Sequence, residues 1–363
     1  MFDDTIDCSR NQRPARVAIV DDSKSIRHWL RRILNDDPRL DVVAEAANGI
    51  EAREVLRNVP VDVVTLDVDM PGISGLDFLA RLMVLKPMPV VMLSALTEVG
   101  SKAAIEALSL GAVDCIEKPK KVLGPDGVRS ICNRVYNAAN TRVTERKLTS
   151  KGTPQPPEFS AEAAWSGGVI LLGASTGGVT ALETVLTQLE ATDWPVVIAQ
   201  HMPENFLHSF CRRLNGQFSR RFYMASQGHE LRSGQAVIAL GKTVSTRLKR
   251  SATGHIICDL SAPSKNTFCS PNIDDLFYSA ADAQLDTASA LLTGMGSDGA
   301  IGLKRLRETG GYTFAQNESS CVVYGMPKAA VALGAAIEQL SDQSIGRRLA
   351  TLTSQRQRLK NVP

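Results

Sequence analysis

Two long segments of the chain alternate short apolar runs with stretches whose apolar positions recur every three or four residues. In the first segment Arg16–Val20, Leu40–Ala46, Val61–Leu66, Val90–Leu93 and Val113–Ile116 are runs of strand type. Helical spacing marks Lys24–Asn35, Ile50–Leu56, Phe78–Leu85 and Ala103–Leu110, and a last helical stretch begins near Val128. Five strands alternating with five helices predict α/β architecture, a doubly wound parallel sheet. The strands are nearly continuous in apolar residues, which a sheet covered on both faces requires.

The second segment repeats the theme. Val169–Gly173, Pro195–Ala199 and Ala288–Leu292 read as strands, followed by helical patterns at Val179–Leu189, Phe206–Leu214 and Ile301–Glu308. A second parallel α/β sheet is expected. Between these elements the pattern is harder to read. Val237–Ala239 and Thr243–Lys249 suggest a hairpin around Gly241-Lys242, and a Ser-, Pro- and Asn-rich loop at Asn266–Asn272 precedes a helix at Ile273–Ala283. Periodicity is lost over 141–166, where Lys151-Gly152-Thr153-Pro154-Gln155-Pro156-Pro157 has linker composition. The expected organisation is therefore a disordered N-terminus over 1–15, a first domain over 16–140, a linker over 141–166 and a second domain over 167–350. A C-terminal tail over 351–363 continues a fraying helix. Two domains suit a chain of 363 residues.

Ligands of such sheets bind beyond the carboxyl ends of the strands, so the residues just after each strand matter most. In the first segment these are Asp21 and Asp22, then Asp67, Ser94 and Lys118. Carboxylates gathered at one edge repel one another unless a hard cation is bound. A few carboxylates, waters and a phosphate group suit Mg²⁺. A hydroxyl and an ammonium then suit the oxygens of a phosphoryl group on one aspartate.

In the second segment the residues after the strands are Ser175, His201 and the run Thr293-Gly294-Met295-Gly296-Ser297-Asp298-Gly299. Gly173-x-Ser175-x-Gly177 fits a sharp strand-to-helix turn that exposes a serine. If the three strands are parallel neighbours, Ser175, His201 and Asp298 share one edge. A serine hydroxyl is a weak nucleophile until a base takes its proton, histidine does so near neutrality, and a carboxylate fixes the imidazole tautomer. The glycine-rich turns Thr176-Gly177-Gly178 and Gly294-Met295-Gly296 offer backbone N–H groups for an oxyanion. An α/β-hydrolase would need a histidine after the acid. The last histidine is His255, so that order is excluded and serine, histidine, aspartate remains. His28 and His208 fall within helix patterns and His229 in a turn, which suits surface roles.

Composition narrows the classes. The apolar fraction of 44% and charged fraction of 22% are ordinary for a globular protein, and a net charge of +3 without a basic run argues against nucleic-acid binding. The seven cysteines show no metal-site spacing and suit reduced, buried thiols. No signal-peptide pattern and no apolar run of membrane-spanning length is present, so a cytoplasmic protein without direct membrane insertion is expected. Arg220 and Arg221 read as a solvated face.

Residues 16–133 resemble a response-regulator receiver domain through Val20-Asp21-Asp22-Ser23, Leu66-Asp67-Val68-Asp69-Met70-Pro71, Ser94-Ala95 and Lys118-Pro119. The resemblance implies a flavodoxin-like fold, Asp67 as acceptor of a phosphoryl group from a histidine kinase, and Mg²⁺ held by Asp21, Asp22 and Asp67. Ser94 and Lys118 would read the phosphoryl group. One departure is Cys115, where the family usually places an aromatic switch residue. Residues 167–350 resemble the catalytic domain of the chemotaxis protein-glutamate methylesterases, the CheB family. The carrying stretches are Gly173–Gly178, Ala199-Gln200-His201-Met202-Pro203, Leu292–Gly299, Ala315-Gln316-Asn317-Glu318 and Ser320–Pro327. This resemblance implies a Rossmann-like domain that hydrolyses methyl-glutamate and deamidates glutamine on methyl-accepting chemoreceptors through a seryl ester. Ser175 would be nucleophile, His201 general base and acid, and Asp298 the orienter. Thr176 and Met295 would lie near the oxyanion, and no metal or other cofactor would be needed at this site. The rival readings are an esterase or amidase acting outside chemotaxis and a scaffold without turnover. A transcriptional regulator lacks its helix-turn-helix here.

Overall fold

The computed structural model describes residues 13–95, 97–119, 123–141, 167–241, 243–264 and 270–360. The described residues form two α/β units, each built on its own parallel sheet. The disordered N-terminus and linker expected from the sequence fall largely outside them, on 1–12 and 142–166.

In chain order the first unit's sheet and its connections comprise β1 (Ala15–Val20), α1 (Lys24–Asn35), β2 (Leu40–Ala46), α2 (Gly49–Asn58), β3 (Val63–Asp67), α3 (Gly75–Leu85), β4 (Val90–Ser94), α4 (Glu98–Leu110), β5 (Asp114–Glu117) and α5 (Pro125–Ala139). Strand order is β2-β1-β3-β4-β5, all parallel. The order reverses between β1 and β3, the position at which such sheets open a crevice. Helix starts follow their sequence signals. Ser23, Asn48 and Ser74 are N-caps whose side chains accept from Ile26 N, from Ile50 and Glu51 N, and from Asp77 N. β3 and β4 are buried at every residue, as the apolar runs require. Ala15, assigned above to the terminus, already belongs to β1.

The second unit comprises β6 (Val169–Ala174), α6 (Gly178–Gln188), β7 (Val196–Gln200), α7 (Glu204–Gln217), β8 (Arg221–Met224), β9 (Gln235–Ile238), β10 (Ser245–Arg250), β11 (Ile256–Ser261), α8 (Ile273–Asp282), β12 (Thr287–Leu291), α9 (Ala300–Glu308), β13 (Tyr312–Gln316), α10 (Met326–Ala332), β14 (Glu338–Leu340) and α11 (Asp342–Lys360). The seven-stranded order is β14-β13-β12-β6-β7-β9-β8, parallel throughout. β6 lies between β7 and β12, so the chain winds outward on one side of β6 and then returns to the other. Alternate residues Val169 and Leu171 of β6, Val197 and Ala199 of β7 and Leu291 of β12 face one core, closed by Ile273, Leu276 and Phe277 of α8 and by Leu303 and Leu306 of α9. Each large side chain so buried contributes about 1.5–3 kcal/mol.

Two expectations are corrected. The hairpin does not join Val237–Ala239 to Thr243–Lys249. β9 lies in the main sheet beside β7 and β8, and β10 pairs antiparallel with β11 instead. The helix expected to run into the C-terminal tail is α11, which extends to Lys360. Arg220 is no solvated residue: it is 2 % exposed. Its guanidinium donates to the carbonyls of Trp194 (3.1 Å), Gln235 (3.0 Å), Leu189 (3.0 Å) and Thr192 (2.6 Å). A fork of five fixed N–H donors suits such a junction, and one cation ties together the segments entering β7, β8 and β9. Burial lowers its pKa to about 10.

Replacing Arg220 by Met would leave those buried carbonyls without donors. The expected loss is about 3 kcal/mol. Thermal unfolding should detect a fall in Tm of about 5–10 °C, and an unchanged Tm would deny Arg220 this role.

Candidate functional site

The parallel register of β6, β7 and β12 brings three carboxyl ends together. Ala174 is opposite Gln200, and Gly173 is opposite Leu291. Continuing the same registers, Ser175 comes level with His201 and with Thr293. Backbone bonds continue the ladder past the strand ends, with His201 N donating to Ala174 O (2.9 Å) and Ser175 N to Thr293 O (3.0 Å). The chain then leaves β6 through a tight turn, closed by Gly178 N donating to Ser175 O (2.8 Å) with Gly177 at φ +76°. Only glycine adopts that conformation freely.

Asp298 lies seven residues beyond β12, yet its carboxylate returns to this edge. His201 Nε2 and Asp298 Oδ2 are 2.7 Å apart. The carboxylate also receives the first amides of α8: Ile273 N donates to Oδ2 (2.9 Å) and Asp274 N to Oδ1 (3.1 Å). The positive end of a helix and a hydrogen-bonded imidazole thus hold one anion. Burial pushes the Asp298 carboxyl up. The His201 hydrogen bond and charge, with the two amides, outweigh it and keep the pKa below the ordinary value. With Nε2 turned to the carboxylate, Nδ1 is the ring nitrogen left for proton exchange.

Further residues position this edge. Gln200 Nε2 donates to Ser175 O (2.9 Å) and His201 O (3.1 Å), bridging two of the three candidates. Thr293 Oγ1 donates to Thr176 O (3.0 Å) and accepts from Val323 N (2.9 Å), and Gln316 Oε1 accepts from Thr293 N (2.7 Å). The loop carrying Met295 abuts the serine, because a Cβ on Gly294 would lie 2.6 Å from Ser175 Cβ. Thr176 and Met295 thus both sit on segments packed beside Ser175. Of the remaining histidines, His28 and His208 are exposed on α1 and α7, His229 lies against the Tyr223 ring and His255 pairs with Glu230.

Gln200, Thr293 and Gln316 lie in stretches quoted from the sequence, but no role at the site is read there for them or for the start of α8. Asn272, an N-cap whose side chain accepts from Asp275 N, is the one signal that could have placed a helix N-terminus here.

The first unit gathers its set in the same way. Val20 is opposite Leu66, Asp67 opposite Leu93, and Ser94 opposite Glu117. Asp21, Asp67, Ser94 and Lys118 therefore line one edge. One oxygen each of Asp21, Asp22 and Asp67 lie within 4.8 Å of one another. Lys118 Nζ reaches Asp21 (2.8 Å) and Asp67 (2.7 Å). Asp67 is buried, and α3 begins hard against it: a Cβ on Gly75 would lie 1.9 Å from Asp67 O. Burial raises the pKa of Asp67 to about 6; the Lys118 hydrogen bond opposes this and the charge of Asp21 adds to it. Two buried carboxylates sharing one ammonium, with a third beside them, form a donor set of hard oxygens suited to a divalent cation. Cys115 is buried, and Arg134 of α5 donates to Cys115 O (2.7 Å) and to Asp114. Burial pushes the Cys115 thiol far up, so it stays a thiol.

Both units gather their candidate residues at the switch points of parallel sheets, an acidic set in the first and a serine, histidine and aspartate in the second, a pairing that suits a response regulator with an enzymatic output. Residues 17–123 match the response regulator receiver domain model and residues 170–349 the CheB methylesterase model. The chain is 43% identical over 351 residues to protein-glutamate methylesterase/protein-glutamine glutaminase 2 of Burkholderia thailandensis, covering 92% of this chain and 98% of that protein. It is 40% identical to the corresponding protein 1 of Caulobacter vibrioides, over 94% of this chain and 98% of that protein. The crystal structure of the Thermotoga maritima CheB methylesterase catalytic domain is 31% identical, covering 51% of this chain and 98% of that one at a TM-score of 0.49. The chain belongs to the CheB family of protein-glutamate methylesterases/protein-glutamine glutaminases, and it is a hydrolase.

The shift at Asp67 has a sign. A carboxyl whose folded pKa exceeds its unfolded value stabilises the fold below the unfolded pKa and loses that contribution as pH rises through the folded one. Between the ordinary carboxyl value of 3.8 and about 6 the wild-type chain should therefore lose stability through Asp67, on the order of 3 kcal/mol. In metal-free buffer Asp67→Asn should raise Tm relative to wild type at neutral pH and not at pH 4. Melting curves that differ equally at both pH values would exclude this linkage.

Proposed function

We propose that this chain is a phosphorylation-regulated hydrolase that demethylates methyl-glutamate and deamidates glutamine on methyl-accepting chemoreceptors, in the cytoplasm. Residues 16–140 act as the receiver and 167–350 as the catalytic domain. The observation that carries the reading is the His201–Asp298 hydrogen bond, 2.7 Å, at the strand edge that also presents Ser175.

In this reading Ser175 Oγ attacks the side-chain carbonyl carbon of the substrate and gives its proton to His201 Nδ1. Asp298 stabilises the imidazolium through Nε2. The tetrahedral oxyanion is met by backbone N–H groups of the turns bearing Thr176 and Met295. Collapse breaks the bond to the leaving group, which takes the proton from His201 and departs as methanol, or as ammonia from glutamine. Water then attacks the seryl ester, its proton passing to His201. The C–O bond to Ser175 breaks, the proton returns to Oγ, and a glutamate carboxylate is released. One site serves both reactions because both are acyl transfers to the same serine.

The receiver accepts a phosphoryl group on Asp67 from a histidine kinase. Asp21, Asp22 and Asp67 would hold Mg²⁺, which when bound neutralises the transferred phosphoryl charge. Lys118 and Ser94 bind the phosphoryl oxygens. Phosphorylation relieves inhibition of the hydrolytic edge by the receiver. The pairing of a receiver with a hydrolase in one chain supports this regulation.

Two measurements check the reading. Methanol release from a methylated receptor fragment should fall by about 10⁴-fold or more in Ser175→Ala, and retention of turnover would refute the serine mechanism. A small phosphoryl donor should raise the turnover of the full-length wild type and leave Asp67→Asn unmoved. Equal stimulation of both would refute gating through Asp67.

A further inference from the structure

Asp274 is a second carboxyl group behind the candidate triad, on the first turn of α8. Its own N–H donates to Asp298 Oδ1 (3.1 Å), and its Oδ1 accepts from Gly302 N (2.7 Å) in the first turn of α9. The exchange is reciprocal. The carboxylate that precedes α9 is held by the start of α8, and a carboxyl on α8 is held by the start of α9. A Cβ on Gly302 would lie 3.0 Å from Asp274 Oδ1 and 2.7 Å from Phe277 Cβ, so the two helices approach as closely as glycine allows. Two carboxyl groups therefore meet where α8 and α9 begin, and one of them, Asp298, also holds His201.

We propose that Asp274 is a positioning residue of the hydrolytic site: its carboxyl group, tied to Gly302 N, fixes the start of α8 whose amides hold the Asp298 carboxylate against His201, and its charge beside that carboxylate sets how readily the imidazole releases a proton. This rests on the Ser175–His201–Asp298 reading. The direction of its titration agrees. Burial, partly offset by the Gly302 amide and reinforced by the charge of Asp298, raises the pKa of Asp274 to about 6. The site thus has one negative charge behind the imidazole below that pH and two above it.

The other charges nearby are accounted for. From the loop before α9 comes Asp298, with His201 beyond β7. Arg305 of α9 is paired with Asp282 of α8 (3.7 Å). Asp275 of α8 is engaged by Arg247 of β10 (3.3 Å) and by Ser245 (2.5 Å). Titration behind His201 therefore centres on Asp274.

The test uses the full chain and methanol release from a methylated receptor fragment across pH. Asp274→Asn keeps an acceptor for Gly302 and a donor for Asp298 but cannot ionise. Its acid limb of kcat/KM should move to lower pH by about half a unit or more, the effect of removing one nearby negative charge, with KM on the plateau unchanged. Asp274→Ala loses the clamp, and its kcat should fall about tenfold at unchanged KM. An Asn profile superimposed on wild type would overturn the proposal. Ser175→Ala separates the two levels: if it remains active the triad reading itself falls, and if it is inactive while the Asn profile superimposes, only the role of Asp274 falls. Should the Asp274 variants not fold, ¹³C-histidine spectra of the wild type decide. The His201 ring, assigned by its loss in His201→Gln, should show a second inflection near pH 6, and a single-step titration would overturn the proposal.

Discussion

The edge proposed as hydrolytic depends on one buried anion. In that role Asp298 would have to remain ionised to orient an imidazole, and an isolated carboxylate out of water is costly enough that it would ordinarily take up a proton. The fold meets this with three donors: His201 Nε2 and the amides of Ile273 and Asp274. None of the three is near Asp298 in sequence. β7 brings the first, and α8, which closes the core on the same sheet face, brings the other two. The packing of α8 against α9 is therefore a condition for the charge state of the site as well as for its stability.

The same dependence explains how tightly the loops around Ser175 are joined. Gln200 bridges the backbones of Ser175 and His201, and Thr293 joins the turn after β6 to the segment at Val323. These side chains donate to carbonyls whose strand partners have ended, so the ladder is prolonged by side chains for one more residue on each side. A hydroxyl on such an edge sits on rigid supports, which holds reacting groups within a fraction of an ångström. Gly294 completes the arrangement by letting the loop after β12 come against the serine itself.

What was legible in the sequence follows from this construction. Strands buried on both faces are apolar throughout, so β1, β3, β4, β6, β7 and β12 stand out, and with them the residues immediately following. Ser175, His201, Asp67 and Lys118 were readable for that reason. Short strands with one face exposed, such as β8, carry weak patterns, and β10 was assigned the wrong partner because turn residues at Gly241-Lys242 mimic a hairpin. Arg220 looked solvated because nothing local reveals four carbonyls converging from two other segments, the connection between α6 and β7 and the start of β9. Asp274 was invisible for the same reason: its importance lies in the register of two helices, and in sequence it is one acidic residue in the first turn of α8, where acidic residues are common.

The two sheet edges make opposite use of a buried carboxyl group. Asp298 is surrounded by donors that are fixed in the backbone or hydrogen bonded to it, and its pKa is held down. It is built to keep its charge. Asp67 has an ammonium shared with Asp21, a single long amide contact from Asp69 N (3.3 Å) and a neighbouring like charge, and its pKa is pushed up to about 6. Such a carboxyl suits the proposed role, in which its charge would be altered by a cation or by conversion into an acyl phosphate. Had Asp67 two short amide donors like those of Asp298, its ionised form would be more strongly stabilised and would respond less. Had Asp298 been given only a mobile lysine, the imidazole would have lost its fixed tautomer. On the same α/β plan, the choice between backbone amides and a side-chain ammonium as counter-charge separates a site that must respond from a site that must stay constant.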